Sequence, residues 1–359
     1  MFDRDDVTVP VQIEISEEQV NDVYNRLCKT FPHYPTDHKW RSTEYYKLAN
    51  FDRSGMFKPK TKMVGQSGHG LSLAWSYMPH FWNIKCGYMK TPISVWESEE
   101  KLKKGIRKML DGSFWSIKEY HKMTASDIRS ILRRFAGTQS VSNFRPTAAA
   151  TIYDKFLEKA SPLFGSNAGV TWDMSCGYGG RLLGSIIADV NYIGTDPCTE
   201  TFEGLKGIRD DWGGLNRTIE LHKLGSEEFR PDRNSVDLCF TSPPYYDWEK
   251  YSDEDTQSYK KYPTREEWIE GFLRQTIENC YYGLKKGGHM ILNVANTQRI
   301  KNFESETVRL GTETGFKLKD TWFLQLSSQE GKAKPEGFLK PSQEGKDTNK
   351  QEPFFIFER

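Results

Sequence analysis

The chain runs to 359 residues with 36% apolar residues and 29 glycines, a balance that fits a globular protein and excludes global disorder. Fifty Lys and Arg against 49 Asp and Glu leave a formal charge of +1, so no whole-chain field draws it to nucleic acid or membrane, and such a partner must meet a local patch. Six scattered cysteines (Cys28, Cys86, Cys176, Cys198, Cys239, Cys280) form no CxxC pair, which argues against a zinc knuckle or disulfide framework, and we expect no metal. The start MFDRDDVTVPVQIEI is acidic and alternating, and no apolar run reaches roughly 18 residues, which predicts neither signal peptide nor membrane span and a cytoplasmic location.

The length allows one or two domains, and the texture changes near residue 140. Residues 1–135 are rich in aromatics and charge and read as a mixed, mainly helical region. Between 101 and 134 lie ten basic residues (Lys101, Lys103, Lys104, Arg107, Lys108, Lys118, Lys122, Arg129, Arg133, Arg134) against Asp111, Glu119 and Asp127. This is the best candidate for a phosphate-contacting surface, with Phe114, Trp115 and Tyr120 interleaved for stacking or packing. A solvated basic helix is the plainer reading of the same run.

Residues 136–359 have a different rhythm. Thr147–Ala160 carries helix formers with apolar positions at Ile152, Phe156 and Leu157, and predicts an amphipathic helix. Strands follow at Gly169–Met174, NYIGTD, TIELHKL, SVDLCF and, behind the turn LKKGG, HMILNVA, with helical stretches between them. That alternation predicts an α/β sheet covered on both faces. GFKLKDTWFLQL and EPFFIFER predict a terminal antiparallel pair joined by a polar loop, residues 327–351.

Two strand ends carry the chemistry. After the first strand, Asp173-Met-Ser-Cys-Gly-Tyr-Gly-Gly180 offers glycines at 177, 179 and 180 for a tight turn and close approach of a ligand to backbone. Asp196 ends the next strand, where a carboxylate can accept from two ribose hydroxyls; a dinucleotide would suit the same arrangement. After SVDLCF comes Thr241-Ser-Pro-Pro-Tyr-Tyr-Asp-Trp248. Two successive prolines cannot continue a sheet ladder, so this loop is stiff and can hold carbonyl oxygens toward a substrate, with Tyr245 offering a flat face.

Together these motifs resemble the S-adenosylmethionine-dependent amino-methyltransferases of DNA, over about Val141–Arg359. The glycine motif of that family, close to DPFxGxG, matches Asp173–Gly179, with Met174 and Ser175 where Pro and Phe are common. Its catalytic motif, (S/D/N)PP(Y/F/W), matches Ser242, Pro243, Pro244 and Tyr245. The resemblance implies a Rossmann-like methyltransferase sheet with helices on both faces and a C-terminal antiparallel strand pair. It implies S-adenosyl-L-methionine held by Asn143, Arg145, Pro146, Asp173, Ser175, Cys176, Gly177, Gly179, Gly180, Asp196, Pro197, Ser226, Glu227 and Thr241.

In such enzymes the target base is flipped out and stacked on the aromatic residue, here Tyr245. Ser242 and the Pro243 carbonyl would hold its amino group so that the nitrogen lone pair faces the methyl donor. Tyr246, Asp247, Trp248 and Tyr251 could line the base pocket, and Arg129, Arg133 and Arg134 could contact phosphates. Serine in the motif favours cytosine N4 over adenine N6; RNA remains a substrate to test, as does a DNA-binding protein on this fold with no turnover. Ring-carbon methylation is rejected, because the only Pro-Cys pair, Pro197-Cys198, follows the second strand. The implied partners are double-stranded DNA and, in a bacterial or phage setting, a cognate restriction endonuclease, with target recognition assigned to residues 1–135.

Overall fold

The computed structural model describes residues 14–112, 118–134, 138, 140–159, 168–297, 300–326 and 351–359. Phe114, Trp115 and all but the last residue of the expected polar loop lie outside the described residues. The chain divides into two compact units, one of Met1–Tyr34 with Pro79–Val141, the other of Pro35–Met78 with Ser142–Arg359. The first 135 residues are therefore shared between the two units, since Pro35–Met78 packs with the sheet that follows it in sequence.

In the smaller unit, helix α1 (Glu17–Leu27) opens on a capping box in which Ser16 and Gln19 each accept from the other's backbone N–H. It packs on α2 (Glu99–Leu110), which packs on α3 (Ala125–Arg134). Buried positions Leu102, Gly105, Ile106, Met109 and Leu110 give α2 one apolar face, and Gly105 is needed there: a Cβ would stand 2.3 Å from Ile131 Cγ2.

The larger unit is built on a mixed sheet of nine strands among the described residues. In chain order they are β1 (Phe57–Lys58), β2 (Met63–Val64), β3 (Val170–Asp173), β4 (Asn191–Thr195), β5 (Ile219–His222), β6 (Val236–Thr241), β7 (Leu284–Asn293), β8 (Lys317–Gln325) and β9 (Gln351–Glu358). Across the sheet they run β1-β2-β8-β9-β7-β6-β3-β4-β5. Strands β3 to β7 are mutually parallel, and β9 lies antiparallel between β7 and β8. The Rossmann-like sheet and its terminal antiparallel pair are as the sequence predicts.

Helices α4 (Pro146–Phe156), α5 (Gly180–Ala188), α6 (Thr199–Trp212), α7 (Gln275–Gly283) and α8 (Phe303–Thr314) flank it. One face of the sheet buries Trp172, Cys239, Met290 and Phe357 with Trp268, Phe272 and Phe303; the other buries Leu238, Phe240 and Ile291 with Ala149, Ile152 and Tyr153. Such burial of strands on both faces explains their near-continuous apolar runs.

Three details depart from the sequence reading. Helix α4 stops at Phe156 rather than Ala160, with Leu157 already extended. The expected turn LKKGG is the start of β7, where Gly287 at φ 80° and a register shift opposite Val236–Leu238 absorb the bend. The edge hairpin β1–β2 has no counterpart among the expected elements; it joins β8 in parallel through Phe323↔Met63 and Leu324↔Val64. Among the described residues no helix is long and apolar enough to cross a membrane.

Candidate functional site

In an open α/β sheet the strand order reverses at one place, and the loops leaving the carboxyl ends of the strands there diverge to leave a crevice. Here that place lies between β3 and β6, which carry the glycine motif and the double-proline motif respectively. Side chains tie the two motifs together. Asp173, fully buried at the end of β3, accepts from Thr241 Oγ1 at 2.9 Å and from the Ser175 N–H at 3.3 Å on one oxygen. Its other oxygen accepts from Arg181 Nε at 2.9 Å and Tyr192 Oη at 2.7 Å. Thr241 Oγ1 also reaches the Ser175 carbonyl at 3.4 Å. All four donors are internal, so the Asp173 carboxylate joins the two loops and is fully occupied by that task. Arg181 and Tyr192 have no signature in sequence; only the folded turn shows that they complete this network.

The glycine turn is held from outside as well. Gly177 and Gly179 take positive φ, 54° and 77°, and Gly179 caps α5. A Cβ on Gly180 would lie 1.8 Å from the Phe144 carbonyl oxygen, so the segment before α4 lies directly against the turn. Asn143 Nδ2 donates to the Tyr178 carbonyl at 3.0 Å, while Arg145 and the buried Pro146 start α4, Arg145 Nε donating to Gln66 Oε1 at 3.3 Å. Cys176 is buried with its thiol 3.8 Å from the Asp173 carbonyl, and burial pushes its pKa up, which fits a packed thiol and not a nucleophile.

Asp196 stands at the end of β4, 8% exposed, accepting from the N–H of Gly177 at 2.9 Å and of Cys198 at 3.1 Å. A carboxylate has room for further donors on each oxygen. Burial raises its pKa to about 7, against the lowering effect of those two N–H groups. Past β5, Ser226 is buried against Thr276, their hydroxyls 2.8 Å apart, and Asn279 Nδ2 donates to the Ser226 and Glu227 carbonyls. Glu227 is 8% exposed; Lys261 holds Oε1 at 2.8 Å, and Oε2 is buried with no hydrogen-bond partner. That oxygen lies over Gly225, whose Cβ, were there one, would be 2.2 Å away.

The double-proline loop leaves β6 with Pro243 buried and Ser242, Pro244 and Tyr245 half-buried. The Tyr245 ring stands edge-on to Phe303 at 5.5 Å between centroids, with the Ser242 side chain and the Ala295 backbone N–H near its hydroxyl. Burial holds the phenol in its neutral form, aided by the nearby Glu352 and Glu249 carboxyls. Glu249, which accepts from Tyr251 Oη, and Glu352 both have pKa values raised by burial.

Tyr246 takes φ 54°, rare for a residue with a Cβ, and donates from Oη to the Pro263 carbonyl. Trp248 N–H donates to the Tyr245 carbonyl at 3.0 Å, so Tyr245–Trp248, with Asp247 inside, is a tight turn. The structure thus gathers Ser242 to Trp248 and Tyr251 with the glycine turn on one sheet edge. Pro197, between Asp196 and α6, offers its carbonyl to Thr256 Oγ1 at 3.2 Å.

The three arginines singled out for phosphate contact belong to the smaller unit, and two have work inside it. Arg129 donates to the Pro32 and His33 carbonyls at 3.4 and 3.2 Å and lies 4.8 Å over the Tyr34 ring. Arg133 donates to Tyr34 Oη at 3.4 Å and sits 5.8 Å over Phe81. Arg134 is exposed, and its pKa is lowered by desolvation and by the neighbouring Arg133. More open positive charge lies on α2, where Lys104 is exposed and Lys101 has the Lys90 ammonium beside it, pulling its pKa down.

No family model and no curated protein matches the chain. Among solved structures it is similar to a TehB-like SAM-dependent methyltransferase from Corynebacterium glutamicum, at 12% identity and TM-score 0.36 over 64% of this chain and 94% of that one. A SAM-dependent methyltransferase from Methanosarcina mazei aligns at 13% identity and TM-score 0.36, covering 58% and 96%. A SAM-dependent O-methyltransferase from Thermotoga maritima aligns at 16% and 0.37, covering 62% and 67%.

Proposed function

We propose that the protein is an S-adenosylmethionine-dependent methyltransferase acting on the exocyclic amino group of a base in DNA, with cytosine N4 the leading target. The observation that carries this reading is the Asp173–Thr241 hydrogen bond of 2.9 Å, which fixes a glycine turn and a Ser-Pro-Pro-Tyr loop to each other at the sheet's crevice.

The residues present suit the cofactor. The positive-φ turn at Gly177 and Gly179 would let a ligand approach backbone, Asp196 has lone pairs left for ribose hydroxyls, and the orphan Glu227 oxygen is an acceptor for an amino group such as that of adenine. S-adenosylmethionine supplies there a methyl group made electrophilic by its sulfonium. The chain's own part is orientation. Ser242 Oγ and the Pro243 carbonyl are acceptors for the two amino hydrogens of the base, and drawing these aside turns the nitrogen lone pair toward the methyl carbon. Tyr245, with its hydroxyl near the Ser242 side chain, is suited to steady the serine. This is a positioning role beside the stacking one that the family resemblance implies.

The test is incubation of the purified chain with S-adenosylmethionine and unmethylated duplex DNA, then mass spectrometry of the nucleosides. N4-methylcytosine is the expected product; N6-methyladenine would move the target base, and methyl transfer only to RNA would move the substrate class. Ser242→Ala should lower turnover about 10²–10³-fold while leaving the Kd for S-adenosylhomocysteine unchanged, because its contacts are to the reacting group.

A further inference from the structure

The segment after the double-proline loop, residues 247–263, is fastened at both ends of the crevice's cofactor side. At one end Glu254 accepts from Thr199 N–H and Thr199 Oγ1, both at 2.8 Å, and Thr256 Oγ1 reaches the Pro197 carbonyl; all of these lie next to Asp196. At the other end Lys261 Nζ bridges Glu227 and Glu228, 2.8 Å from each. Tyr246 Oη closes the segment on itself at the Pro263 carbonyl. Between the two fastenings sits Gln257, 5% exposed, whose backbone carbonyl accepts from Lys261 N–H at 3.1 Å. Its side-chain Nε2 is buried without a hydrogen-bond partner.

Lys261 thus links, through its ammonium to Glu227 and its backbone N–H to the Gln257 carbonyl, two residues that each bury an unsatisfied polar atom, a carboxylate acceptor on Glu227 and a carboxamide donor on Gln257. A buried polar atom without a partner costs free energy, and one of each sign on two residues linked through Lys261 suits a ligand edge of the complementary pattern. Adenine has that pattern, since its amino group is a donor beside a ring-nitrogen acceptor.

We propose, on the footing of the cofactor reading above, that residues 247–263 form a strap across the adenine end of the cofactor, and that Gln257 on the strap and Glu227 in the loop after β5 together read the adenine edge. Cofactor and substrate sites are then mechanically joined, because the strap continues directly from the Tyr245–Trp248 turn. Cofactor entry and product release require Glu254 and Lys261 to let go.

The test is isothermal titration of the full chain with S-adenosylhomocysteine and with S-inosylhomocysteine, whose ring carries a carbonyl in place of the amino group, together with stopped-flow dissociation rates. The wild type should prefer the adenosyl compound by about a hundredfold, because a site built to bond a donor rejects an acceptor. Gln257→Leu should weaken the adenosyl compound about tenfold. Lys261→Met should speed its dissociation, and Gln257→Asn gives the same readout if the leucine variant does not fold. Equal binding of the two compounds by the wild type, or unchanged binding by the Gln257 variants, overturns the strap while leaving the cofactor reading intact. Failure of the wild type to bind S-adenosylhomocysteine at all removes that reading, and the strap with it.

Discussion

Gly180 and Asp196 show how narrowly single residues define this site. A methyl group at 180 would meet the Phe144 carbonyl oxygen at 1.8 Å, with backbone on both sides of the clash. Gly180→Ala should therefore destabilise by at least about 3 kcal/mol, read as a shifted urea midpoint, and abolish cofactor binding in whatever fraction folds. Asp196 titrates from 3.8 toward about 7 on folding. An acid that holds its proton more tightly when folded loses stability as pH rises between those values and costs nothing below the lower one. The chain should be less stable at neutral pH than near pH ~5 by a margin that Asp196→Asn removes. Ribose hydroxyls favour the ionised form, so affinity for S-adenosylhomocysteine should climb through the same window, by at most about tenfold per pH unit. A flat affinity profile would show that Asp196 stays out of the cofactor's reach.

At the scale of elements, single basic residues of α2 and α3 in the smaller unit differ in role. On α3, Arg129 satisfies two backbone carbonyls and covers Tyr34, so Arg129→Ala should cost about 1–2 kcal/mol of stability and, on the proposed DNA reading, change the salt dependence of binding by less than one unit. Lys101 of α2 has the like-charged Lys90 beside it, and Lys104 on the same helix is exposed. Replacing those three with alanine should lower the slope of log affinity against log salt by about two to three, roughly 0.9 for each phosphate no longer neutralised.

Sequence could not make this distinction. Ten basic residues between 101 and 134 read as one patch, because the carbonyls and rings that engage Arg129 and Arg133 lie about fifty to a hundred positions away. The strands, by contrast, were legible: VTWD, NYIGT and VDLCFT are apolar runs closed by Asp, Asp and Ser-Pro-Pro, and burial on both faces leaves them nothing else to be. Two-residue strands such as β1 and β2 have no periodicity to read, and Gln257 is one polar residue in a polar stretch.

At the scale of the molecule, both motifs were visible as text, but their union was not. Thr241 reaches Asp173 only because β6 lies beside β3 with Cys239 opposite Trp172, a register that no local pattern encodes. The same dependence on distant pairing governs the sheet's edge. Val64 is fully buried where β2 meets β8, and Val64→Asp should detach the hairpin at a cost of at least about 3 kcal/mol, seen as selective loss of amide protection over residues 57–64.

Strand β9, which comes last in the chain among the sheet's strands, is an interior one, bonded on one side to β7 and on the other to β8. During synthesis, residues 57–64 emerge long before their partner at 317–325, and that partner stays unjoined to β7 until residues 351–358 arrive between them. Throughout that interval β7 presents an open, apolar flank in a half-made sheet. The nascent chain is therefore open to wrong pairing at that flank only over the stretch of synthesis between residues 293 and 351.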